Sequence, residues 1–270
     1  MDVTASDLSA LVLPESAQRW IAAADPVVEI MGHAIGVDLD WWNVSLRERN
    51  LTGGPVTGFD TDGEVVTSGK CIITRGHVFD QAVGASEDPD AALRLLWHSL
   101  AWGSGLGNRN NTKRMDAVAA DSAGSGAVLT AAAYVCGFNP VEAYDRLYPG
   151  GRTSISSLGP AFFTKFLYFA GGGASTHPCL ILDRRVAASL IQIGWTSLHP
   201  DHGWPANTYD RYLQLMSRWR DELADSRPDS GPRLDLLERW LYNNEPAAAQ
   251  DGAGVVGSGR LEHEECRSPL

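Results

Sequence analysis

The chain has no C-x-x-C pair, no two histidines four residues apart and no apolar stretch of 18 or more residues. Its four cysteines (Cys71, Cys136, Cys179 and Cys266) are scattered through 270 residues. That spacing argues against a disulfide framework or a zinc site, and it suits a reducing cytoplasm. The short apolar runs argue against a transmembrane helix, and the opening MDVTASDLSALVLP lacks the basic region of a signal peptide. A soluble cytoplasmic protein with no membrane partner is expected. Positive charge is also scarce: 22 Lys and Arg stand against 33 Asp and Glu, for a net charge of −11. Generic phosphate binding is thereby disfavoured. GSGLGNRN follows a helical pattern rather than a strand, so it is not a dinucleotide fingerprint, and no cofactor or metal is expected.

The composition is 44 % apolar, enough for one large domain or two small ones. Residues 1–45 read as helical, through SAQRWIAAA and VVEIMGHAIGVDLDWW. Residues 51–74 are rich in Gly, Pro, Thr and Val, which predicts a loop with a small β-hairpin. Asp88-Pro89-Asp90 then supplies a cap, and Ala91 to Trp102 is apolar at helical spacing. Further helices are expected near 112–120, over the small-residue run ending at Gly137, after the Asn139 cap, over RVAASLIQIGW, over TYDRYLQLMSRWRDELA and over PRLDLLERWLYNNE. The expected division is an N-terminal helical and loop region over 1–85, a helical core over 86–246 and a disordered tail over 247–270.

Charge is distributed unevenly. Residues 101–185 carry eight Lys and Arg against five acids, a local excess of +3 on an acidic protein. Lys165 is the only charged residue between Arg152 and Asp183, and its neighbours in AFFTKFLYF are mostly aromatic. A lone lysine is commonly a snorkelling side chain. Phe162, Phe163, Phe166, Leu167, Tyr168 and Phe169 leave little polar surface for that, and a desolvated lysine becomes a usable amine nucleophile. Asp183 follows 18 positions later, at the end of the apolar run CLIL.

LGPAFFTKFLYF, the loop GGGASTHP and the aspartate beyond it together resemble the helix-hairpin-helix segment of the 8-oxoguanine-type DNA glycosylases. The resemblance implies a mainly α helix-hairpin-helix glycosylase fold, with a β-hairpin or loop insertion in the N-terminal third. It implies that Lys165 attacks the anomeric carbon of a flipped nucleotide and that Asp183 orients the lysine and stabilises charge on the sugar. Gly159, in the hairpin, would offer backbone N–H groups to a DNA phosphate. Two departures stand out: Phe163 sits where the family usually has glycine two positions before the lysine, and Arg184-Arg185 follows the aspartate. That pair is either a phosphate contact or a solvated basic pair.

The turn 103–114 lies where the family inserts an Asn-rich loop into the duplex. Asn108, Arg109, Asn110, Asn111 and Arg114 are candidates for that contact; helix capping explains the glycines and one Asn equally well. By resemblance, the last helix carries the base pocket, with Tyr242 stacking on the base and Glu238 where a Gln is usual. A carboxylate accepts from an exocyclic amine such as that of cytosine, although an exposed helix Glu is the plain alternative. These features imply a monomeric DNA N-glycosylase, with AP-lyase activity, acting on duplex DNA that carries a modified base. Glucosylated hydroxymethylcytosine of phage DNA is the favoured substrate, in antiphage defence; repair of 8-oxoguanine and a non-catalytic helix-hairpin-helix DNA-binding protein are the alternatives.

Overall fold

Among the described residues, side-chain caps begin six of the α-helices. In the computed structural model, which describes residues 6–201, 203–225, 233–244 and 246, Asp88 accepts from the N–H groups of Asp90 and Ala91, and helix α5 (Pro89–Ser104) begins at the following proline. Its buried residues run from Ala91 to Trp102 with one interruption, which makes it the central helix of the core. Around it lie α6 (Asn111–Ala120), α7 (Ser122–Val135, capped by Asp121), α8 (Pro140–Leu147, capped by Asn139) and α9 (Pro160–Phe169). The last helices among the described residues are α10 (Arg184–Ile193), α11 (Ala206–Asp225) and α12 (Leu234–Asn243). The expected disordered tail lies outside the described residues.

The N-terminal third differs from the sequence expectation. After α1 (Ser6–Ser9), α2 (Glu15–Ala23) and a π-helical turn (Val27–Met31), the chain forms strand β1 (Ala34–Asp38) where a helix was expected. Asp38 then caps α3 (Leu39–Glu48) by accepting from the Trp41 N–H. Strands β2 (Gly58–Phe59), β3 (Val65–Val66) and β4 (Lys70–Thr74) follow, and the hairpin becomes a four-stranded antiparallel sheet of order β1-β4-β2-β3. Local propensity leaves AIGVD ambiguous. Its register against KCIIT, whose Cys71 and Ile73 face inward, decides the matter. Gly58 is required here, because a Cβ would lie 2.4 Å from the Cys71 sulfur.

Helix α4 (Arg75–Asp80) closes this third. Arg75 reaches across to Glu238 of α12, and both side chains are 0 % exposed. One hydrophobic cluster runs from Leu11 to Leu241, so the core is continuous across the boundary expected near residue 85. Among the described residues, no helix is long and apolar enough to cross a membrane.

Candidate active site

The helix-hairpin-helix unit is α8, the turn through Pro149–Gly151 and Leu158, and α9. Gly159 caps α9 with open space around its Cα, and Pro160 occupies the first helical position. Phe163, the departure from glycine, points inward and packs on Tyr144 at 4.7 Å, so it does not obstruct the outer face.

On α9, Lys165 lies beside Asp183, Nζ to Oδ2 at 2.7 Å, with side-chain exposures of 7 % and 13 %. Its ammonium also donates to the Ala161 carbonyl at 2.9 Å. Gly103 of α5 makes room for the lysine stem; a Cβ there would lie 2.7 Å from the Lys165 Cδ. The other oxygen of Asp183 accepts from the N–H groups of Arg185 and Val186, so one carboxylate both caps α10 and holds the lysine. Burial alone would raise its pKa. The Lys165 charge and hydrogen bond, with the two backbone N–H groups, outweigh that and hold the carboxyl below its ordinary range.

Asp183 is placed by an unusual segment. CLIL is buried, yet it belongs to no helix or strand. Side chains satisfy its backbone instead. Tyr209 Oη accepts from the Leu180 N–H and donates to the Leu180 carbonyl, Tyr212 donates to the Ile181 carbonyl, and Thr164 Oγ1 accepts from the Leu182 N–H. Thr164 directly precedes Lys165, so both members of the pair are fixed from one turn of α9.

The turn 103–114 divides in two. Arg109 and Asn110 are exposed and Asn108 is half-buried. Asn111 and Arg114 are buried and brace the hairpin, which corrects their expected DNA-facing role. The Arg114 guanidinium donates to the Asn111 Oδ1 at 2.6 Å and to the Ser157 carbonyl at 3.0 Å, and it stacks 3.6 Å over Phe162. Burial lowers its pKa to about 10. The guanidinium thus supports the positive-φ Ser157 of the hairpin.

Glu238 is a second correction. It is sealed against Arg75 at 2.9 and 3.3 Å and faces the interior, not a base pocket. A carboxylate buried among aromatics needs such a partner, and nothing local in α12 reveals that the partner is 163 residues away. Tyr242 is half-buried at the margin of the same helix. Arg185 lies 4.0 Å over its ring and Arg239 at 5.6 Å. His33, which the sequence left unassigned, lies 5.8 Å from the Tyr242 ring and packs edge-on against Trp102 at 5.1 Å. Burial, then the charges of Arg75, Arg239 and Arg185, push the His33 pKa down to about 2, so the ring is neutral. Its Nε2 lies 3.2 Å from the Arg239 guanidinium. Arg184, the first residue of α10, is half-buried.

The arrangement therefore joins an amine and a carboxylate to an aromatic ring flanked by guanidinium groups. The family model described as "Putative 8-oxoguanine DNA glycosylase OGG-like protein" matches residues 28–242, which include every one of these side chains. No curated protein and no solved structure matches the chain.

Proposed function

We propose, for a chain that belongs to the 8-oxoguanine DNA glycosylase OGG-like family, that it excises a modified base from duplex DNA with Lys165 as nucleophile and Asp183 as its electrostatic partner. The observation that carries this reading is the 2.7 Å Lys165–Asp183 contact, mostly but not wholly shielded from water. In the proposed reaction the bond between C1′ and the base nitrogen breaks, and its electron pair leaves with the base. Lys165 Nζ gives up a proton, which the departing base takes up through solvent, and forms the new bond to C1′. The Asp183 carboxylate stabilises positive charge on the sugar as the bond opens. Ring opening to a Schiff base then allows β-elimination of the 3′ phosphate, the AP-lyase step.

The base must leave the stack to reach this site. Tyr242 offers it a stacking face. In this reading Arg185 and Arg184, with Gly159 at the hairpin, contact phosphates, and Asn108, Arg109 and Asn110 fill the gap left in the duplex. The enzyme works as a monomer in the cytoplasm in this reading.

Glucosylated hydroxymethylcytosine, the phage base favoured from sequence, loses Glu238 as support. At Gly53 the chain is tightly packed, since a Cβ there would lie 2.5 Å from the Arg94 backbone nitrogen, whereas Gly63 and Gly69 have open space. The guanidinium donors at Tyr242 suit an acceptor-rich partner, either the carbonyl edge of an oxidised guanine or the hydroxyls of a glucosylated base. Duplexes bearing each modification separate repair from antiphage defence. Borohydride trapping tests the chemistry: wild-type protein forms a covalent adduct with abasic DNA, and Lys165→Gln forms none and loses excision by at least about a thousandfold. An adduct that persists in Lys165→Gln overturns the nucleophile; DNA binding without any adduct supports a non-catalytic module.

A further inference from the structure

Two of the cysteines that the sequence leaves far apart meet away from the Lys165 site. Cys136 ends α7, Cys179 opens the CLIL run, and the Sγ atoms of both lie with a ring nitrogen of His177 within 4.8 Å of one another. We infer that Cys136, His177 and Cys179 bind one zinc ion, with water as the fourth ligand.

Three observations point to a metal rather than to two thiols packed as small apolar groups. The first is the orientation of the imidazole. His177 Nε2 lies 2.9 Å from the Leu167 carbonyl and donates to it, which leaves the Nδ1 lone pair for the cluster. A ligating histidine typically has its second nitrogen fixed in this way. The second is the space kept for that ring. Any Cβ at Gly171 would lie 2.3 Å from the imidazole, so the loop admits His177 only because residue 171 is glycine. The third is the donor set itself. Two thiolates and an imidazole form a soft S₂N set suited to zinc, and three protein ligands leave one position of a tetrahedron open. Both cysteines are buried while His177 is half-buried, so the histidine side provides the route for the ion and its water.

Binding forms two Zn–S bonds and one Zn–N bond and releases the remaining thiol protons to solvent. No oxidant is needed. A disulfide between the same cysteines would require one and would leave the lone pair of His177 unused. The consequence is mechanical: the ion ties the end of α7 to the run that delivers Asp183 four residues later. It has no part in the chemistry at Lys165, so its presence is measured on the protein without a DNA substrate.

The test uses untagged full-length protein purified under reducing conditions. The expected result is about one equivalent of zinc, and, after exchange to Co²⁺, the thiolate-to-cobalt charge-transfer bands and intense visible bands of a tetrahedral site. His177→Ala, on the half-buried side, should keep the fold by circular dichroism while weakening Co²⁺ binding by about tenfold or more. Cys136→Ser should weaken it likewise, and Cys71→Ser should leave it unchanged. Folded, reduced protein with neither zinc nor cobalt bands overturns the inference. So does a Cys136–Cys179 disulfide found by mass, or metal binding that His177→Ala leaves intact.

Discussion

Two buried ion pairs lie near each other in this protein, and they differ in what surrounds them. Arg75 and Glu238 are 0 % exposed. Tyr168 accepts from Arg75 at 3.2 Å and donates to Asp235 at 3.0 Å, and the guanidinium lies between the rings of Trp102 and Tyr168, at 5.0 and 5.3 Å. Burial raises the pKa of Glu238 and opposes the charge on Arg75; the attraction of Glu238 nevertheless holds Arg75 protonated. Lys165 and Asp183 make an equally short contact with some exposure, at a helix N-terminus, and the lysine engages two of its three N–H donors. A sealed pair fixes the relation of two elements distant in sequence. A shielded pair that water and ligand can still reach retains chemistry to offer. Burial of charge by itself does not distinguish a site from a strut.

The comparison breaks most sharply at Asp183. Asp183→Asn should retain DNA binding yet lose excision by about 10²- to 10³-fold, measured in single turnovers. Glu238→Gln should leave the rate per folded molecule near wild type; if the two variants lose excision equally, the contrast fails. Gly103→Ala should fold normally, since alanine favours a helix and the clash is with a flexible stem. Excision should nonetheless fall by about 10²-fold, because Lys165 is displaced. Arg75→Met should act on stability alone, costing roughly 3–5 kcal/mol in denaturant unfolding through an uncompensated Glu238.

The most gradual effect is in pH. The folded pKa of His33 is depressed from 6.5 to about 2, so the unfolded chain binds the extra proton between those values. The His33 contribution is present above pH 6.5 and is lost as pH falls, at no more than about 1.4 kcal/mol per unit. His33→Asn should make the acid limb of thermal stability shallower below pH 6.5. Asp183, also depressed, contributes only to the limb below about pH 4, the ordinary carboxylate range.

The helices were legible where side chains act on their own backbone. Asp88 and Asn139 mark helix starts in the sequence, and the structure begins α5 and α8 there. Lys165 and Asp183 stood out because charge is rare in their stretch. Strand β1 was misread, because its identity depends on β4, more than 30 residues away. Asn111, Arg114 and Glu238 were misassigned for a related reason: polarity in a sequence does not reveal whether a partner awaits in the interior. The Cys136–His177–Cys179 cluster had one sequence signal, the H-x-C spacing at 177–179, and lacked its third member until α7 folded against the loop.

The sequence by itself determined the mainly helical class, the caps at Asp88 and Asn139 and the two charged residues of the candidate site, since these follow from local hydrogen bonding and local hydrophobicity. The tertiary structure alone decided which charges face each other. CLIL can present Asp183 to Lys165 only because Tyr209, Tyr212 and Thr164 satisfy its backbone. Those bonds span 18 to 31 residues, and their energy appears only when water has been excluded from between the elements.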